Sequence, residues 1–88
     1  MNILSELNNY FSLLETTLDS SFINEFLACN IDRLHLYHFT LGKQIRNEVF
    51  HSENSLYKIL SASGIKQKDD MSQLTIVLFY LYLKSKEI

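Results

Sequence analysis

The sequence predicts an all-α fold, a compact bundle of four to five helices with a hydrophobic C-terminal helix at its centre. Three observations lead there. The chain has no proline and two glycines in 88 residues, too few breakers to punctuate a set of strands. Apolar residues recur at intervals of three and four along much of its length, the spacing that gathers side chains on one face of a helix. A hydrophobic content of 47% with 20% charged residues supplies one core and a solvated surface, as expected of a single domain spanning residues 1–88.

The elements follow in order. Leu7, Tyr10, Phe11, Leu14 and Leu18 share one face of a helix over residues 2–18. Asp19-Ser20-Ser21 breaks it, because short polar side chains compete for backbone hydrogen bonds, and Ser20 or Ser21 caps a short helix over 22–28. Asn30 and Asp32 offer N-caps for a long central helix, residues 34–50, with Leu34, Leu41, Ile45 and Val49 along one side. His51-Ser52-Glu53-Asn54 reads as a polar connection. Residues 55–62 form another short helix, closed by Gly64, the residue that takes a left-handed turn at no steric cost. After a loop over 65–68, Asp70 with Gln73 resembles a capping box, and Asp69 adds negative charge where the helix dipole is positive, so the last helix starts near Met71. From Leu74 to Leu83 that helix is apolar nearly all the way round. Its excess either packs within the bundle or supplies an interface for a partner.

Charge and cysteine usage narrow the function. A net charge of −2 carries no electrostatic footprint for a phosphate backbone, so generic nucleic-acid binding is not expected. Cys29 stands alone and the first residues lack the basic start and apolar run of a signal peptide, so a cytoplasmic, reducing setting is expected. The longest apolar run, Ile76 to Leu83, is far shorter than the ~20 residues of a membrane span.

At about 100° per residue, His35, His38, Gly42 and Arg46 fall within a band about 80° wide on the central helix. A mid-helix glycine costs ~1 kcal/mol relative to alanine, so Gly42 points to close helix packing. His35 and His38 have no Cys, Asp or Glu beside them at ligand spacing, and neither a metal nor a cofactor is expected. Tyr10, Tyr37, Tyr57, Tyr80 and Tyr82 supply amphipathic area. Of these, Tyr80 and Tyr82 join His35, His38 and Arg46 as partner-binding candidates, while Gly42, Gly64, Asp69, Asp70 and Met71 are expected to be structural.

Two resemblances bear on chemistry. Arg46-Asn47-Glu48-Val49-Phe50-His51 resembles the R-x4-H motif of the HEPN helical ribonucleases. The resemblance implies Arg46 on the scissile phosphate, His51 as acid or base at the ribose 2′-hydroxyl, Asn47 assisting, and a site completed across a dimer. A longer ordered pattern is similar to a family of small bacterial helical domains of unknown function. It comprises Tyr37-His38, Gly42, Ile45-Arg46-Asn47, Leu56, Gly64-Ile65 and Asp69-Asp70-Met71-Ser72 before an aromatic helix ending in Tyr82-Leu83, summarised as G-x-x-I-R-N … D-D-M-S. That resemblance implies a fold and no activity. It leaves His51 outside the shared pattern, because the family's stretch after Arg-Asn often carries tryptophans and glycines where this chain has Glu48-Val49-Phe50-His51. The joint presence of Arg46 and Asp69-Asp70 in the pattern suggests an ion pair.

The expected function is a small non-enzymatic protein-interaction module, of the inhibitor or immunity type found in bacteria and phages, acting through a protein partner or as a homodimer. The alternative is a HEPN-like dimeric ribonuclease or toxin using Arg46 and His51.

Overall fold

The computed structural model describes residues 3–50 and 54–86. They form α1 (Ile3–Thr17), α2 (Ser20–Ala28), a 3₁₀ helix (Ile31–Tyr37), α3 (Leu41–Val49), α4 (Ser55–Ala62) and α5 (Lys68–Ser85). This is the all-α bundle that the periodicity predicts.

Leu7, Tyr10, Phe11 and Leu14 are buried on one face of α1. The break after α1 lies where the polar run places it, but Asp19 is the cap instead of Ser20 or Ser21: its carboxylate accepts from the Ser21 backbone N–H and hydroxyl. A carboxylate satisfies orphan N–H groups at the positive end of the dipole. Helix α2 therefore begins at Ser20, two residues before the expected Phe22.

The largest departure is the central helix, which does not run unbroken from Leu34 to Phe50. Residues 31–37 are 3₁₀, 38–40 turn, and Thr40 (φ −107°, ψ −85°) redirects the chain into α3. The segment His35-Leu36-Tyr37-His38-Phe39-Thr40 is poor in good helix formers, since ring and β-branched side chains lose rotamer freedom against the preceding turn. Tyr37 also has a binding place of its own, edge-on to Phe22 and Phe26 with centroids 5.7 and 5.0 Å away. Leu34 and Leu41 both still reach the core.

Helix α4 follows the sequence closely. Asn54 caps it by accepting from the Leu56 N–H at 2.8 Å. Gly64, at φ +100°, ends it: the Ile65 N–H reaches the Leu60 carbonyl and the Gly64 N–H the Ser61 carbonyl, the paired bonds of a Schellman motif. Lys66 Nζ adds a bond to the Ser61 carbonyl at 2.7 Å, a cation at the negative helix end.

Helix α5 starts at Lys68, three residues before Met71, with Gln67 as an N-cap that makes no side-chain bond. Asp70 is thus not a cap; Asp69 and Asp70 are the second and third helical residues, where their charge still favours the dipole. The helix buries Met71, Ser72, Thr75, Ile76, Phe79, Tyr80 and Leu83 against α3, the 3₁₀ helix and α2. It is not enclosed on every side: Leu74 and Leu81 face outward. Phe26 is the hub of the core, in ring contact with Phe22, Tyr37, Phe79 and Tyr80. Three tyrosine hydroxyls tie elements together: Tyr10 donates to Glu48, Tyr80 to the Cys29 carbonyl and Tyr82 to Glu15.

Candidate functional site

The residues of the G-x-x-I-R-N and D-D-M-S segments meet where α3 crosses the start of α5. Arg46 is the centre. Its Nη1 donates to Ser72 Oγ at 2.9 Å, its Nη2 to the His38 carbonyl at 3.3 Å, and its Nε lies 3.7 Å from Asp69 Oδ1. Ser72 is fully buried and donates onward to the Asp69 carbonyl at 3.0 Å, so its hydroxyl uses its one proton and accepts from a cation. Ile45 and Met71 close the apolar side of the crossing, both fully buried.

Gly42 is buried in the first turn of α3, not in mid-helix. A Cβ there would lie 3.0 Å from Arg46 Nη1 and 3.5 Å from both Ile76 Cδ1 and the Tyr37 carbonyl. The missing side chain is the space through which the guanidinium reaches α5. The glycine thus serves the close approach expected of it, with an arginine as the neighbour.

The four-residue band of His35, His38, Gly42 and Arg46 does not exist as one helix face, because the turn at 38–40 separates the histidines from α3. His38 nevertheless returns to Arg46 by another route: its carbonyl accepts from the guanidinium and its Nε2 lies 3.9 Å from Asp69 Oδ1. At that distance the imidazole makes no hydrogen bond to the carboxylate. Its ring stands edge-on to Phe39, 4.9 Å between centroids. His35 is exposed on the 3₁₀ helix, apart from this cluster.

The arrangement is a seam between α3 and α5. Every guanidinium nitrogen of Arg46 has a protein neighbour, and the side chain is 18% exposed. Two of its five N–H donors are spent on Ser72 and the His38 carbonyl, and Asp69 stands beside a third, where a phosphate would have to compete with a carboxylate. Asn47 is exposed on α3, and His51 lies outside the described residues. Among the described residues no group of three His, Cys, Asp or Glu is placed to hold a metal ion, and no helix is long and apolar enough to cross a membrane.

The tyrosines proposed from sequence as contact residues are occupied in the fold. Tyr80 is buried and its hydroxyl is 2.8 Å from the Cys29 carbonyl; Tyr82 is half-buried and bonded to Glu15, which also takes Lys86 at 2.8 Å. That Lys86 bond, followed by the one from Tyr82, holds the Glu15 carboxyl below its ordinary range, and Glu15 in turn raises Lys86. Burial, reinforced by Glu48, pushes the Tyr10 phenol far up, and burial also raises Tyr37.

A second surface stands out instead. Ile31, Leu36 and Phe39 are 51%, 62% and 82% exposed within nine consecutive residues, beside His35 and His38. Sequence reasoning passes over them because it follows the Leu34-Leu41-Ile45 stripe. The signal was present: on a helix in that phase Leu36 and Phe39 fall on the side away from the stripe, where polar residues belong.

The sequence profile of a family described as a domain of unknown function (DUF6794) matches residues 5–83. No curated protein and no solved structure matches the chain. Because the match covers nearly the whole sequence, the chain belongs to that family, in accord with its resemblance to a small family without an assigned activity.

Proposed function

We propose that this member of a domain family of unknown function is a non-enzymatic protein-interaction module whose contact face is the 31–39 stretch. The observation that carries the reading is Phe39: a phenylalanine 82% exposed at the end of a tight 3₁₀ segment, with Leu36 and Ile31 beside it. Large aromatic anchors flanked by apolar neighbours are what protein interfaces concentrate. The stretch is rigidly founded, since Tyr37 is wedged against Phe22 and Phe26, so little ordering entropy is lost on docking. His35 and His38 lie within the stretch and retain their candidacy, while Arg46 supports it from below through the His38 carbonyl.

The role fits an inhibitor or immunity-type factor of bacterial or phage origin, working in the cytoplasm on a protein target. The ribonuclease alternative draws no support from the site geometry, because the guanidinium that would grip phosphate is engaged by Ser72, Asp69 and His38.

Photo-crosslinking from position 39 in host lysate tests the reading. The chain is expected to crosslink a discrete protein, and Leu36→Asp introduced with the crosslinker is expected to abolish the product while leaving the melting temperature unchanged. Crosslinking that survives Leu36→Asp, or RNA cleavage by the purified chain that Arg46→Ala removes, would overturn it.

A further inference from the structure

We propose that the partner of the 31–39 stretch is a protein with an apolar groove that carries a carboxylate at one end, and that Arg33 pairs with that carboxylate; this rests on the stretch being the contact face. A 3₁₀ helix has three residues per turn, so side chains three apart eclipse and form straight rows. The bonding that defines such rows runs through the stretch: the Arg33 N–H reaches the Asn30 carbonyl, the His38 N–H the His35 carbonyl and the Thr40 N–H the Tyr37 carbonyl. The inner row holds Leu34, buried, and Tyr37, half-buried. The outer row is Arg33, Leu36 and Phe39, exposed at every position. At ~2 Å of rise per residue that row spans about 12 Å. It presents in order a guanidinium, an aliphatic side chain and an aromatic ring.

The charge of the row selects the occupant. Among the described residues the Arg33 guanidinium makes no hydrogen bond and no ion pair. Most other cations are committed within the fold: Arg46 at the seam, Lys66 to the Ser61 carbonyl, Lys86 to Glu15, and Lys68 over the Tyr57 ring. Lys43, likewise exposed and without such a partner among the described residues, follows in the first turn of α3. Over residues 30–43 these two cations stand against one carboxylate, Asp32, so the stretch carries +1 in a chain of net −2. Asp32 lies on the third row with His35 and His38, in the first turn, where its charge favours the helix dipole. Glu25 acts on Tyr37, which belongs to the inner row. An arginine in line with an exposed leucine and phenylalanine has the composition of an interface hot spot. Covering it calls for a carboxylate opposite, because a desolvated cation left unpaired is costly. A nucleic acid suits the row less well, since Leu36 gains nothing against a phosphate backbone and the net charge of the chain repels one.

Photo-crosslinking of the full chain from position 39 in host lysate, carried out with charge variants at position 33, tests the pairing. Arg33→Glu is expected to lower the yield of the wild-type product at least about tenfold, and Arg33→Lys to keep most of it. Both are expected to keep the wild-type melt, because the side chain is exposed and unpaired. The wild-type yield is expected to fall as NaCl rises from about 0.1 M to about 1 M, which shortens the screening length from ~10 Å to ~3 Å. With the captured protein purified, a carbodiimide is expected to join the amine introduced by Arg33→Lys to an Asp or Glu of that protein. A product undiminished by Arg33→Glu and by salt, a captured protein that the carbodiimide does not join at position 33, or a product that nuclease removes overturns the proposal. If the product survives Arg33→Glu but is lost with Leu36→Asp, the contact face stands and the carboxylate pairing falls. If the wild-type chain gives no product at any salt concentration, both fall.

Discussion

The seam between α3 and α5 and the stretch over residues 31–39 are built from adjoining pieces of chain, and they solve opposite problems. In the seam a cation and a hydroxyl are removed from water, and each is met: Arg46 by Ser72, Asp69 and the His38 carbonyl, Ser72 by Arg46 and the Asp69 carbonyl. In the stretch Leu36 and Phe39 are left in water. Polar groups buried and satisfied specify one way of packing; apolar groups left exposed side by side add little to the fold, and the proposed contact face rests on them. The family motif thus reads as a device for fixing α5 on α3, and the exposed apolar residues on which the proposed contact face rests, Ile31, Leu36 and Phe39, stand outside it.

The largest effect is expected at Phe26, which is fully buried, packs on α5 through Phe79 and Tyr80, and holds Tyr37. Phe26→Ala should lower unfolding free energy by about 3–5 kcal/mol, read from urea melts, and loosen the stretch as well, seen as faster amide exchange over 31–39. Arg46→Ala comes next. It removes charge-assisted hydrogen bonds at the seam and should cost about 2 kcal/mol, while crosslinking from position 39 persists in the chain that stays folded.

Alkaline pH should act on the foundation of the 31–39 stretch through Tyr37, and elsewhere in the bundle through Tyr10 and Lys86. The Tyr10 and Tyr37 phenols and the Lys86 ammonium are all raised in the folded chain. A raised group makes the folded state hold its proton where the unfolded state has released it, so its contribution is complete below the ordinary value near 10 and is lost as pH rises beyond it. Glu15 has the reverse sign: it is lowered, so its contribution is present above the ordinary carboxylate range and is lost as pH falls through the folded value. Urea midpoints should be level near neutrality, fall above about pH 10 and fall again in acid. Tyr10→Phe should remove part of the alkaline decline, and an unchanged decline would mean that burial of this phenol is not its source. The smallest stability effect is expected at Phe39→Asp, within about 0.5 kcal/mol of wild type; a large loss would place Phe39 in the fold and not at its surface.

Much of the bundle is legible in the sequence because local signals agree there. Helix α1 announces its face through Leu7, Tyr10, Phe11 and Leu14, and Gly64 ends α4 for a reason visible in its residue type. The turn at 38–40 is not legible, because no glycine or proline marks it and Leu34 and Leu41 stand seven residues apart, two turns of an unbroken helix. Tertiary contact decided instead, with Tyr37 drawn against Phe22 and Phe26. The start of α5 is not legible, because Asp70 with Gln73 has the form of a capping box, whereas the helix begins at an N-cap without a side-chain bond. At the seam, the co-occurrence of Arg46 with the Asp pair suggested their approach, and the closer partner is Asp69. Ser72 was not legible as a partner: a small polar residue at a helix start reads as solvated, and only the crossing of α3 buries it.

The central claim is that Arg46 and Ser72 act as one unit locking α3 onto α5. A double-mutant cycle of Arg46→Ala and Ser72→Ala, measured by urea denaturation, tests it most directly. The account predicts a coupling of about 1 kcal/mol, with the double variant less destabilised than the sum of the singles. Additive effects, with coupling below about 0.3 kcal/mol, would contradict it and return Arg46 to the residues available for another role.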